Sequence, residues 1–153
     1  MQHIDYAYTR GMGDSEIETL LREHQTGVLS LAKANEAYGL PLAHYYDGSA
    51  LYFRLGETDD SRKREFIETT DTACYVVYGT EQLDGFRELD SWSIMVTGTL
   101  TDLPPSEHGD FDTAEINRRF SPIRVFDEAI DEIEIVIAKF EIESLTGRIT
   151  LPE

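Results

Sequence analysis

The sequence predicts a mainly β fold, an antiparallel barrel with helices plugging its ends, and three observations predict it. Short apolar or alternating runs recur along the chain, the turns between them are short, and the helical patches are too few for regular βαβ alternation. The order is helix, three strands, helix, two strands, helix, strand, giving six strands in all. A chain of 153 residues fits one domain over residues 1–153, large enough to bury roughly 70% of its unfolded surface in a single core.

The first helix follows Asp14 and Ser15, where Ile17, Leu20, Leu21 and His24 fall at three-and-four spacing. Ser15 with Glu18 matches a capping box, and the helix is expected to end near Gly27. Three strands follow, Val28 to Ala34, Leu40 to Tyr46 and Ser49 to Leu55, divided at Tyr38-Gly39 and at Asp47-Gly48, the second a strong hairpin signal. Ser61 to Thr69 reads as a second helix, with Phe66 and Ile67 on its apolar side and Asp59 or Asp60 as a cap. Ala73 to Tyr78 and Trp92 to Leu103 are strands. The longer one carries Trp92, Ile94, Val96, Gly98 and Leu100 on one face, and Gly98 marks a bend or a close backbone approach. A helical patch over Thr113 to Phe120 and a strand over Ile133 to Ile142 complete the chain. The stretches Thr80 to Asp90 and Leu103 to Asp112 are expected to be loops.

Charge narrows the partners. Thirty acidic residues against 13 basic ones give a net charge of -17, which opposes binding to nucleic acid or to an anionic membrane. The apolar runs fall short of the ~20 residues that span a bilayer. With a lone Cys74 and no leader pattern at the start of the chain, a cytoplasmic protein is expected. The acid excess, together with ten Arg and only three Lys, suits a halophile's surface, because at molar salt the screening length shrinks to about 3 Å.

No phosphate-binding glycine loop, nucleophile elbow or zinc-protease motif occurs. The histidines, His3, His24, His44 and His108, are scattered, and no metal site is expected. His24 reads as a packed or boundary residue, His44 faces either core or pocket, and Cys74 reads as a small buried side chain. The informative segment is Ser61-Arg62-Lys63-Arg64. Cations are disfavoured where a helix begins, so three of them there imply a bound anion, and backbone N–H groups with a hydroxyl and cationic side chains form a phosphate site. The competing reading is neutralisation by Asp59, Asp60 and Glu65. Arg118, Arg119 and Arg124 could form a second anion site or pair with Asp127, Glu128 and Asp131. Tyr45, Tyr46, Tyr52, Phe53, Tyr75, Tyr78 and Trp92 are mostly core, with a few able to flank a planar ring.

The hairpin strands, then Ser61-Arg62-Lys63 opening a helix, then Trp92-Ser93-Ile94-Met95-Val96-Thr97-Gly98, resemble the pyridoxamine 5′-phosphate oxidase-like family of FMN-binding split barrels, over about Gly27 to Leu103. The resemblance implies a six-stranded antiparallel Greek-key split β-barrel with peripheral helices, and a homodimer holding two FMN molecules at its interface. It places Leu40, Pro41, Leu42, Phe53 and Arg54 along the flavin ring or ribityl chain, partly through backbone groups. It sets Ser61, Arg62 and Lys63 on the phosphate, and brings Trp92 and Ser93 from the neighbouring strand or chain. In the oxidases a Gln commonly stands where Ser93 does. The last residues, from Arg148 to Glu153, lack the family's substrate-handling His, so oxidation of the vitamin itself is not expected and Arg148 is given no catalytic role. The expected function is an FMN-dependent oxidoreductase of unknown substrate, with no side chain named as acid or base. A deazaflavin-dependent reductase, a flavin-binding module without turnover, and haem binding through His44 are the alternatives.

Overall fold

The computed structural model describes residues 9–57, 62–80, 91–103 and 134–151. Along the chain these form β1 (Thr9–Gly11), α1 (Asp14–Glu23), β2 (Thr26–Lys33), β3 (Glu36–Tyr46), β4 (Ala50–Glu57), α2 (Arg62–Thr69), β5 (Ala73–Gly79), β6 (Trp92–Leu103) and β7 (Glu134–Thr150). The strands make one antiparallel sheet in the order β1-β7-β4-β3-β2-β5-β6, and β6 pairs back onto β7, so six strands close a barrel and β1 adds a short extra strand beside β7. This is the expected mainly β barrel. The expected helix over Thr113 to Phe120, the loops over Thr80 to Asp90 and Leu103 to Asp112, and the Arg118, Arg119 and Arg124 cluster lie wholly or mostly outside the described residues.

Local chemistry moved several boundaries. The β2–β3 turn sits at Ala34-Asn35, both with positive φ (49° and 69°), the geometry of a two-residue primed turn that Asn tolerates, so Tyr38-Gly39 lies inside β3. The Asp47-Gly48 hairpin forms as expected. The Asp47 carboxylate accepts the N–H groups of Ser49 and Ala50 at 2.8 Å, and Gly48 takes φ 101°, which a side chain would resist. Helix α1 is capped at Gly13 rather than Ser15. Glu16 accepts the Gly13 N–H at 3.2 Å and both Arg10 guanidinium nitrogens at 2.9 and 2.7 Å; Arg10 first, then that N–H, holds its carboxyl down at about 2. The helix stops at Glu23, because Thr26 already belongs to β2. Strand β7 continues past Ile142 to Thr150, and there Arg148 donates to the Thr9 carbonyl at 2.8 Å and pins β1.

The inward residues make one core. Leu29, Leu51, Phe53, Tyr75, Ile94, Val96 and Phe140 are fully buried, and the Phe53 ring meets Tyr75 and Phe140 edge-on at 4.7 and 5.8 Å. Each large apolar side chain buried this way contributes about 1.5–3 kcal/mol. The two helices close opposite ends. Ile17 and Leu21 of α1 enter the core beside Tyr46 and Trp92, and Phe66 and Ile67 of α2 enter it beside Tyr38. Gly98 fulfils its sequence reading: the β6–β7 register shifts between Thr97 and Gly98, and a Cβ there would run into the Glu141 carbonyl oxygen.

Outward residues line up in rows across the strands. One row runs Pro41, Val28, Val76, Met95, Thr146; the next runs Gly39, Ser30, Cys74, Thr97, Ser144; a shorter one holds Tyr78, Ser93 and Arg148. Cys74 is therefore half-exposed on the barrel's outer side rather than a buried side chain, since the alternation of β5 turns Ala73, Tyr75 and Val77 inward.

His44 belongs to the core. It is 1% exposed, with Nε2 2.9 Å from the Leu21 carbonyl and Nδ1 2.6 Å from the Tyr75 hydroxyl. The carbonyl can only accept, so Nε2 carries the proton and Nδ1 accepts from Tyr75. The ring thereby satisfies one of the last carbonyls of α1. Burial pushes the imidazole below its ordinary 6.5 and raises the Tyr75 hydroxyl.

Candidate functional site

The barrel is split on one side. β3 and β4 pair only at His44–Phe53, Tyr45–Tyr52 and Tyr46–Leu51. Beyond that point Glu36 to Ala43 of β3 stay with β2, while Arg54 to Glu57 of β4 stay with β7. Hairpin parity fixes what each lip presents. Lys33–Glu36 flank a two-residue turn and the His44 N–H donates to the Gln25 carbonyl at 2.8 Å, so the even-numbered residues of β3 aim their backbone groups at β2. Pro41 and Ala43 face the split, and Pro41, lacking an N–H, leaves no donor unpaired there.

Helix α2 stands at the same end. Both of its ends are tied to β2: past the last turn the Thr70 hydroxyl accepts the Ala32 N–H at 3.1 Å and donates to the Phe66 carbonyl at 2.6 Å, and in the first turn Glu65 pairs with Lys33. Its first turn carries Arg62 and Lys63 at a helix start, where the positive end of the dipole favours an anion. Arg64 belongs to a different arrangement. Its guanidinium meets Asp102 of β6 at 2.5 Å and lies 3.9 Å from Glu68, so the third cation of the run serves a carboxylate and is removed from the expected anion trio. Ser61 lies outside the described residues.

The remaining expected residues divide. Leu40, Leu42 and Phe53 send their side chains into the core (2%, 7% and 0% exposed), and the backbone groups of Leu40 and Leu42 point to β2. Pro41 is exposed on the lip of the split. Arg54 faces outward and is half-buried, and loss of hydration lowers its pKa. Beside it on the outer surface the sequence reading missed a second apolar cluster, Ala43 and Ile137, buried, with Tyr45, Tyr52 and Leu103 packed on them. The tyrosine rings lie 6.2 Å apart. Their alternation with the core residues Tyr46, Leu51 and Phe53 was the available signal.

Trp92 and Ser93 occupy the other end of the barrel. Ser93 and Asp102, the partner of Arg64, are separated by nine steps along β6, roughly 30 Å at ~3.3 Å per residue. Trp92 is 2% exposed and stacks at 4.6 Å on His24, which confirms His24 as a packed boundary residue. Ser93 is half-buried on the outer surface between Tyr78 and Arg148. Both residues thus lie at the opposite end of β6 from the strand position that pairs with α2. Both ring nitrogens of His44 are engaged, so the haem alternative loses its ligand. Among the described residues no cluster of His, Cys, Asp and Glu could hold a metal, and no helix is long and apolar enough to cross a membrane.

A split antiparallel barrel with a cationic helix start beside its open seam defines a class of fold, and the comparisons identify the family. A family model described as pyridoxamine 5′-phosphate oxidase matches residues 13–149, and the chain belongs to that family. No curated protein matches. Among solved structures, a FAD-binding protein from Mesorhizobium loti is similar at TM-score 0.73 and 21% identity, covering 94% of this chain and 99% of that one. The FAD-binding protein from Mycobacterium smegmatis is similar at TM-score 0.62 and 13% identity over 91% and 98% of the two chains. The flavocytochrome Anf3 from Azotobacter vinelandii is similar at TM-score 0.65 and 13% identity over 94% of this chain and 69% of that one. At these identities the likeness is one of fold.

Proposed function

We propose that this protein binds FMN at the split between β3 and β4 and uses it as an oxidoreductase. The observation that carries the reading is the start of α2, where Arg62 and Lys63 sit on the positive end of a helix beside the open seam of a barrel with net charge -17. A phosphomonoester dianion matches that donor set: Ser61, Arg62 and Lys63 would hold it by charge-assisted hydrogen bonds to hydroxyl, side chains and helix N–H groups. Pro41 on one lip and Arg54 on the other would orient the ring and ribityl chain, and the apolar cluster around Tyr45 and Tyr52 would keep water from one side of the seam.

The flavin, when bound, supplies hydride or electron transfer. The chain's part is to bind the phosphate, fix the ring and limit access. Tyr75 and His44, the titratable pair at the centre, are consumed in the core and take no part. Two structural neighbours are named for FAD, and the first test therefore identifies the cofactor. Acid extraction of protein purified in molar salt, followed by chromatography against both standards, is expected to release FMN at one per chain. Release of FAD would reassign the cofactor, and no release with no saturable quenching of added FMN would overturn the reading. Anaerobic addition of a reduced nicotinamide is expected to bleach the flavin, as a binding module would not.

A further inference from the structure

We infer that Lys139, on the outer face of β7, is the anchor for a carboxylate, and that the molecule it holds is a small planar aromatic acid lying over β4 toward the split. Lys139 stands between Ala138 and Phe140, both fully buried, so its side chain leaves the sheet on the outside, where it is half-buried. The register sets it in one row with Tyr45, Tyr52 and Thr101, and the next row along holds Arg54, Ile137 and Leu103. Tyr45, Tyr52, Ile137 and Leu103 belong to the outer apolar cluster, so the lysine rises from a mostly apolar floor.

Its lack of a partner calls for an anion. Acidic residues outnumber basic ones by 30 to 13, and cations elsewhere in the described residues are engaged: Arg10 by Glu16, Lys33 by Glu65 and Arg64 by Asp102, while Arg148 donates to Thr9. Among the described residues Lys139 makes no ion pair, hydrogen bond or ring contact. Two carboxylates on this face do not serve it. Asp47 accepts the Tyr52 hydroxyl at 3.1 Å and the N–H groups of its own turn, and Glu141, the next outward residue of β7, is exposed and forms no ion pair with it. An ammonium partly removed from water is stabilised best by a counter-charge that arrives with its own apolar body.

The neighbours choose the class of that body. Paired positions on adjacent strands hold their Cβ atoms about 5 Å apart, so the Lys139 ammonium and the Thr101 hydroxyl can both donate to one carboxylate. On the other side Tyr52 and Tyr45 offer rings 6.2 Å apart and tilted by 36°, a wall for a planar ring. From Lys139 to the Arg54 row is one pleat repeat, about 7 Å, the reach of a single six-membered ring. Inorganic phosphate would gain nothing from the tyrosines, and a neutral ring would leave the ammonium without its counter-charge. That this acid is the flavin's substrate rests on the reading of the split as the flavin site; the carboxylate site itself does not.

Saturation-transfer NMR with benzoate, on the protein as purified in molar potassium chloride, tests the site. Saturable binding in the millimolar range is expected, with benzamide, which has the ring without the charge, at least about 10-fold weaker. Lys139→Met keeps the bulk of the side chain and removes its charge, and is expected to cost benzoate the same factor, while Lys139→Arg restores most of the affinity. Arg22→Gln removes a positive charge from α1 and is expected to leave benzoate binding as it is in the parent protein. Unfolding midpoints establish that each variant is folded. No saturable binding by the parent protein, an unchanged affinity in folded Lys139→Met, or displacement of benzoate by an equal concentration of inorganic phosphate overturns the inference. In protein loaded with FMN, benzoate is expected to shift the flavin absorption bands, and benzoate bound without such a shift would overturn its assignment as a substrate. Because the NMR titration reads benzoate itself, failure to bind FMN would sink the functional reading and leave the carboxylate site standing.

Discussion

The two seams of this barrel are built differently. β6 and β7 pair at twelve positions, from Trp92–Ile149 to Leu103–Ile137, whereas β3 and β4 pair at three. The long seam spends its backbone groups on the sheet and tolerates Gly98 alone at its bulge. The short seam ends in two lips, and the helix that follows β4 starts there with Arg62 and Lys63. Strand pairing is concentrated on one side of the molecule, and the proposed flavin site lies on the other.

Substitutions should separate the two sides. Gly98→Val drives a side chain into the Glu141 carbonyl, and since overpacking costs about 1–3 kcal/mol or more, a loss of at least ~3 kcal/mol is expected in denaturant unfolding. His44→Leu leaves the Leu21 carbonyl unpaired in the core, while the Tyr75 hydroxyl can turn to the Leu42 carbonyl at 3.4 Å, so a loss of about 2 kcal/mol is expected from one orphaned group.

The same histidine sets a pH dependence. Unfolded, it takes up a proton at its ordinary 6.5, but folded it does so only at lower pH. Its contribution is complete above 6.5 and is lost as pH falls from there to the depressed folded value, where the slope ends. Unfolding midpoints measured across that window should show the slope in the parent protein and a shallower one in His44→Leu. Arg64→Ala breaks a partly exposed pair with Asp102 and should cost no more than about 1 kcal/mol. The acid excess predicts a higher unfolding temperature in molar than in dilute potassium chloride.

Much of this was legible in the sequence because alternation is a strong signal. Trp92, Ile94 and Val96 were read onto one face, which the structure turns inward, and Asp47-Gly48 and Gly98 announced a turn and a close approach. The Ala34-Asn35 turn was missed because its φ values suit Asn without a glycine to advertise it. Strand β1 was missed because three exposed residues carry no periodicity, and Arg148 supplies its anchor from far along the chain. For the candidate site the sequence offered residue types but not their grouping. Charge alone could not tell Arg64, drawn to Asp102, from Arg62 and Lys63. Nor can a linear reading show that Ser93 lies at the opposite end of the barrel from α2.

The central claim is that the start of α2 holds the FMN phosphate. The double variant Arg62→Ala, Lys63→Ala tests it most directly, with FMN affinity measured by fluorescence quenching in molar salt alongside the unfolding midpoint. At least a 100-fold loss of affinity is expected, with stability within about 0.5 kcal/mol of the parent as for other surface changes. A folded double variant that still binds FMN as the parent does would contradict it.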